Sequence, residues 1–203
     1  MESRQRMECA LNFQEPDQIP LDLGATPVTG MHVSSVYHLR QALGLDPSGE
    51  PVRVTNIYQM LGEIKPDLAD ILGIDVLPLE RPAQSFGIRN EGWKEWVTFD
   101  GTPVLVPGGF NTSLEPNGDL LIYPMGDRSA EPSGRMPAGG YYVDAINRQH
   151  TLHEDQMDPA DNLEEFTLIS DEDLEFYRHQ VEELYTTTDK AIAANPGGTG
   201  FGD

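Results

Sequence analysis

Apolar residues recur along this chain with two different periods. Met7, Ala10 and Leu11 fall at i, i+3 and i+4 behind Ser3, the pattern of a short capped helix. The run Gln14-Glu15-Pro16-Asp17-Gln18-Ile19-Pro20 ends it, because proline lacks an N–H and restricts the residue before it. Ile19 to Leu23 then reads as a short strand that delivers Asp22 and Gly24 to a loop. From Met31 to Leu43 the period is helical, with Val33, Val36, Tyr37, Arg40 and Leu43 in one sector and Gly44 as the stop.

Between Thr55 and Leu79 the spacing predicts two helices and a strand. Ile57, Met60, Leu61 and Ile64 match the 0, 3, 4, 7 spacing of an amphipathic helix capped by Thr55. Pro66 suits the first turn of a second helix, which gathers Leu68, Ile71 and Leu72 and stops at Gly73. The apolar run Ile74 to Leu79 follows, as in a buried parallel strand. Helix, glycine and apolar strand in that order is the grammar of α/β folds.

From Trp93 to Val143 the period shortens. Trp96 to Phe99 and Pro103 to Val106 flank Asp100-Gly101, a dipeptide that suits the left-handed backbone of a tight hairpin. Ser113 to Glu115 and Leu120 to Tyr123 flank Pro116-Asn117-Gly118-Asp119 in the same design. Asp127 to Gly140, with its prolines and glycines, reads as irregular. After an acidic loop, Ser170-Asp171-Glu172-Asp173 is a strong helix start, with a capping hydroxyl and anions at the positive end of the dipole. Lys190 to Ala194 reads as a strand before the Asn195 to Gly200 loop. Three parts are expected: helices and first strands over 1–92, a β-hairpin insertion over 93–148, and an acidic linker, helix and further strand over 149–203. A chain ending on an open glycine loop after a strand is expected to be the front part of a longer protein.

Composition narrows the functional classes. Leu, Ile, Val and Phe number 48 of 203 residues, enough for a core in a charged chain. The formal charge is −21, from 34 acids against 13 bases. Such a surface repels phosphate backbones and acidic headgroups, so neither nucleic acid nor membrane is an expected partner. No apolar run approaches the ~18 residues of a membrane span, and the polar start lacks a secretory signal; a cytoplasmic protein is expected. The acids concentrate late: 151–203 hold 14 against 2 bases, as a solvated helix face and acidic linker would.

Candidate chemistry is sparse. His150 and His153, three apart, have the spacing of two metal ligands on one helical face, but their segment lacks helical periodicity and reads as surface loop. Asp155, Asp158, Asp161 and Glu164 lack the glycine and ligand alternation of a calcium loop. The glycines of 197–202 match neither the P-loop nor the dinucleotide fingerprint. Asp75, an acid inside an apolar strand, must be paired, neutralised or exposed at a strand end. It either makes a structural contact, with an arginine or as a cap, or else it or the following Glu80 and Arg81 point into a cleft. Asp22 and His32 flank the first glycine loop and carry the same two readings. Cys9, the one cysteine, reads as a packing residue.

The opening Ser3-Arg4-Gln5-Arg6, with Ala10-Leu11-Asn12-Phe13-Gln14-Glu15-Pro16-Asp17-Gln18-Ile19-Pro20-Leu21-Asp22-Leu23-Gly24, resembles the start of uroporphyrinogen decarboxylase-family proteins, on the branch of corrinoid-linked methyltransferases. Leu72-Gly73-Ile74-Asp75-Val76 is similar to the family's following strand. Gly109-Phe110-Asn111-Thr112, Asn117-Gly118-Asp119, Tyr123-Pro124 and the stretch from Pro132 to Tyr141 are similar to an insertion in uncharacterised members of that branch.

The resemblance implies an α/β fold, the N-terminal part of a TIM (β/α)8 barrel of about 350–400 residues carrying an antiparallel β-hairpin insertion. It implies methyl transfer between a small substrate or thiol and a corrinoid protein, through zinc held by a late His-x-Cys motif and a distant Cys. This chain contains neither, so no cofactor is expected on it and no activity from it alone. Asp22, His32 and Asp75 are the expected substrate-binding positions. True decarboxylases carry Arg-Gln-Ala-Gly-Arg after the first strand; here Leu23-Gly24-Ala25-Thr26-Pro27-Val28-Thr29-Gly30 has no arginine for a polyacidic porphyrinogen. Decarboxylation of uroporphyrinogen or a related acid is the alternative on the same fold. A non-catalytic acidic binding module, with the hairpins as its interface, is the alternative from another class.

Overall fold

Two sets of parallel strand pairing organise the chain. A computed structural model describes residues 1–147 and 169–195. Helix α1 (Ser3–Leu11) and helix α2 (Val33–Ala42) precede strand β1 (Val52–Asn56), strand β2 (Leu61–Gly62), helix α3 (Pro66–Leu72) and strand β3 (Val76–Leu79). Strands β4 (Lys94–Val97), β5 (Pro103–Val106), β6 (Thr112–Leu114), β7 (Leu120–Ile122), β8 (Gly134–Met136) and β9 (Asp144–Ala145) follow. Helix α4 (Asp171–Thr187) and strand β10 (Ala191–Ala194) complete the described residues. The fold is mixed α/β, and among the described residues no sheet closes into a barrel.

The first sheet has the order β2-β1-β5-β4, with β1 parallel to β5 and the other pairs antiparallel. The second is β3 paired in parallel with β10, with α4 between them in sequence and packed on both. The third, β6-β7-β8-β9, is an antiparallel meander. Val33, Val36, Val52, Val54, Leu68 and Val104 are fully buried in one cluster joining α2, β1, α3 and β5.

Most expected elements are present. Gly73 ends α3 with φ +68°, in the left-handed conformation glycine adopts without a Cβ penalty. Both hairpins turn at the expected glycines, Gly101 at φ +86° and Gly118 at φ +91°. Ser170 caps α4, its hydroxyl oxygen accepting from Asp173 N at 3.1 Å.

The structure departs from the expected pattern in four places. The helix expected after Thr55 is instead the end of β1, a tight turn and β2. The β-branched Val52 and Val54 alternate inward, which suits a strand, and the Asn56 carboxamide oxygen accepts from Gln59 N at 2.8 Å to close the turn. Ile57, Met60, Leu61 and Ile64 are all buried as their spacing required, but from a turn, the short strand β2 and the connection that follows it. Ile19 to Leu23 is not a ladder strand; Leu21 alone bonds to Asp75, its carbonyl accepting from Asp75 N and its N–H donating to the Asp75 carboxylate. The segment read as irregular contains β8, the third strand of the meander. The first hairpin is also continuous with the body, since β5 pairs with β1.

Candidate functional site

The C-terminal ends of β1, β3 and β10 border one cleft of about 110 Å³. Thr55 and Asn56 come from β1, Pro78, Leu79 and Glu80 from the end of β3, and Asn195 from just after β10. Gly24 to Pro27, the first glycine loop, adds another wall, and Trp93 a further one. Gly24 has φ +89°, and a Cβ there would sit 2.7 Å from Ile64 Cγ1, so only glycine lets this loop lie against the core.

Arg53, projecting from β1, is the charged centre. Its Nη1 donates to Glu80 Oε2 at 2.9 Å, its Nη2 donates to Glu63 Oε1 at 2.8 Å and also to Glu80 Oε1, and Trp93 lies 5.1 Å from its guanidinium carbon. Burial works against the Arg53 charge, yet Glu80 and Glu63 together hold its pKa above the ordinary value. Glu80 is fixed in turn by Gln180 of α4, whose side chain donates to Glu80 O at 3.1 Å and accepts from Glu80 N at 3.0 Å.

A chain of amides also lines the cleft. Gln84 Nε2 donates to Val54 O at 2.9 Å and to Asn90 Oδ1 at 2.6 Å, and Asn90 Nδ2 donates to Arg81 O at 2.8 Å. The Arg81 side chain, exposed at the rim, donates from Nε to Asn195 O at 2.6 Å and from Nη2 to Asn195 Oδ1 at 2.8 Å. The cleft therefore offers a bidentate ion pair, an aromatic face and several neutral hydrogen-bonding groups, the ingredients of a small-molecule site.

Of the sequence-derived candidates, Glu80 and Arg81 line this cleft, and Asp22, His32 and Asp75 do not. Asp75 sits before β3, at the end away from the cleft, and is 1% exposed. It makes the arginine contact, to Arg6 Nη1, and accepts from Leu21 N at 2.9 Å. Asp22 shapes the glycine loop by accepting from Ala25 N at 3.1 Å. His32 caps α2: its Nδ1 accepts from Ser34 N at 3.2 Å, so Nε2 carries the proton and donates to Tyr141 O at 3.1 Å. Burial pushes the His32 imidazole below its ordinary pKa. The first-loop glycines were legible in sequence; Arg53, Trp93, Gln84, Asn90 and Asn195 were not. The one available signal was an arginine inside the apolar run Val52-Arg53-Val54.

Among the described residues no group of three or more His, Cys, Asp or Glu comes together to hold a metal ion. His150 and His153 lie outside the described residues. No described helix is long and apolar enough to cross a membrane. Compared with protein-family models, with curated proteins and with solved structures, the chain matches none.

Proposed function

We propose that the chain is the N-terminal part of a uroporphyrinogen decarboxylase-like (β/α)8 barrel enzyme and that the cleft is its small-molecule site. The intact enzyme, on this reading, moves a methyl group between a small substrate or thiol and a corrinoid carried by a partner protein. The observation that supports the reading most is the convergence of three strand C-terminal ends on one cleft, the place where (β/α)8 enzymes bind their ligands. The parallel β3–α4–β10 unit supports it as well, being the repeat from which such barrels are built.

The charges in the cleft favour methyl transfer over decarboxylation of a porphyrinogen. A substrate with many carboxylates needs several unneutralised cations, and Arg53 is already taken by two carboxylates. The described residues do not form the zinc site that the resemblance implies: Cys9 sits half-buried on α1 and does not line the cleft. No step through the metal is therefore derived for this chain, whose own residues bind and orient a substrate.

The test is an assay of methyl transfer from methylcobalamin to a thiol, with added zinc, beside an assay of uroporphyrinogen consumption. The protein used is the chain together with any coding sequence that continues beyond Asp203. Demethylation of the corrinoid with methylation of the thiol supports the reading. Turnover of uroporphyrinogen, or of neither substrate, overturns it.

A further inference from the structure

Arg81 is set apart from the other arginine of the cleft. In this acidic chain Arg6 is taken by Asp17 and Asp75, Arg40 by Asp46 and Asp67, and Arg53 by Glu63 and Glu80. Among the described residues, Arg81 is held by neutral acceptors alone, the carbonyl and carboxamide oxygens of Asn195. These occupy the Nε–Nη2 edge of the guanidinium. The Nη1–Nη2 end is left with its N–H groups, in the fork geometry that matches a carboxylate.

The group is also held in place. Its backbone carbonyl accepts from Asn90, which is locked to Gln84 and through it to β1. An exposed arginine loses rotamer entropy when it is fixed. Here it is fixed from both ends by partners that leave its charge uncompensated. Glu80, its neighbour in sequence, does not compete for it, because both Glu80 oxygens accept from Arg53.

On the reading of this cleft as a small-molecule site, we propose that it takes a small carboxylate, bound through its two oxygens by Arg81, with its apolar part against Pro78, Leu79 and Trp93. Arg81 is then a specificity-determining residue, and Asn195 positions it.

Benzoate and its neutral isostere benzamide are suitable probes, titrated into the ¹⁵N-labelled full chain. The chain has two tryptophans, so the Trp93 indole N–H is assigned with a Trp96→Phe variant. Benzoate is expected to shift that signal saturably, with benzamide weaker by at least about tenfold, as the loss of a charge-assisted hydrogen bond implies. Arg81→Gln is expected to lower benzoate affinity by a similar factor, and Arg81→Lys to keep part of it. Equal binding of benzamide, unchanged benzoate affinity in Arg81→Gln, or no saturable shift would overturn the proposal. Binding needs no turnover, so this failure is separable from failure of the methyl-transfer reading.

Discussion

Arg6 Nη1 donates to the Asp75 carboxylate across 69 residues of sequence, and this pair, remote from the cleft, ties the first helix to the strand that builds the cleft. Asp75 N donates to Leu21 O at 2.8 Å, and Asp75 O accepts from Ala191 N at 2.9 Å. One residue thus joins α1, the segment after it, β3 and β10.

Replacing Asp75 should therefore unfold rather than merely inactivate. Asp75→Ala removes the acceptor of Leu21 N and one of the two carboxylates on Arg6. Breaking a buried pair costs about 3 kcal/mol, a large part of the stability of an ordinary domain. Urea unfolding followed by circular dichroism should show the midpoint falling steeply. A midpoint within error of the parent chain would mean that the pair is not structural.

The Asp–Arg contact at Asp75 was legible beside a capping contact and a place in a cleft, because an acid in an apolar strand needs a partner. Its partner was not legible, since nothing local marks Arg6. The same division holds elsewhere. Gly73, Gly101, Gly118 and the Ser170 cap announced their turns and helix ends through local backbone chemistry, and those elements are present. Ile57, Met60, Leu61 and Ile64 announced their burial but not their element. A 0, 3, 4, 7 spacing is also met by a turn, a short strand and the connection after it, and the Asn56 turn decided between the two. The cleft was the least legible part, because Arg53, Asn90 and Asn195 meet only through long-range strand pairing.

Acid should destabilise the chain over a defined window. The Arg40 hydrogen bond, outweighing burial, holds Asp67 down to about 2. Burial acts to raise the Asp75 carboxyl, but bonds from Leu21 N, Ser3 and Arg6 hold it below the ordinary range. A carboxylate with a lowered folded pKa contributes stability fully present above its unfolded value, near 3.9, and lost as pH falls through the folded one. Urea midpoints should thus be flat with respect to these groups above about pH 5 and fall towards pH 2. Arg40→Met should flatten the part of that fall due to Asp67; an unchanged slope would exclude the pair as its source.

His32 should give a second, milder slope at higher pH. Its Nδ1 must stay unprotonated to accept from Ser34 N, and burial lowers its pKa. The unfolded imidazole takes up a proton near pH 6.5 while the folded one resists. Stability is then complete above about pH 6.5 and declines below it until the folded pKa is reached. His32→Asn, which keeps a capping acceptor, should abolish this slope while leaving the carboxylate slope intact. NMR titration of the His32 ring would show a midpoint below the ordinary imidazole value.

Gly126 should tolerate no side chain. Its φ is +76°, and a Cβ there would overlap the Gly109 carbonyl oxygen and lie 3.0 Å from Gly109 Cα, backbone that cannot turn aside. Asn111 Nδ2 also donates to Gly126 O at 2.8 Å, so the residue leading into β6 is pinned to the turn between β7 and β8. Gly126→Ala combines left-handed strain of about 1 kcal/mol with a backbone clash. Gly44→Ala, at φ +68° with open space around its Cβ, carries the strain alone. The Gly126 variant should have the lower melting temperature, and the reverse order would mean that the close approach to Gly109 is absent.

Gln180 holds α4 to the edge of the cleft. None of its residues is fully buried, so packing alone does not dock it firmly. Gln180 brackets the Glu80 peptide, accepting from its N–H and donating to its carbonyl. Gln180→Ala removes two hydrogen bonds, each with a net worth of about 1 kcal/mol, and frees the backbone beside the Arg53 ion pair. Gln180→Glu keeps the acceptor but sets a carboxylate against the Glu80 carbonyl, so it should not restore the parent. Hydrogen exchange at Glu80 N is the direct readout. It should quicken by about tenfold or more in both variants, while Ile122 N, in the meander, exchanges as before. Equal protection of Glu80 in Gln180→Ala would show that α4 is positioned by something other than this bracket.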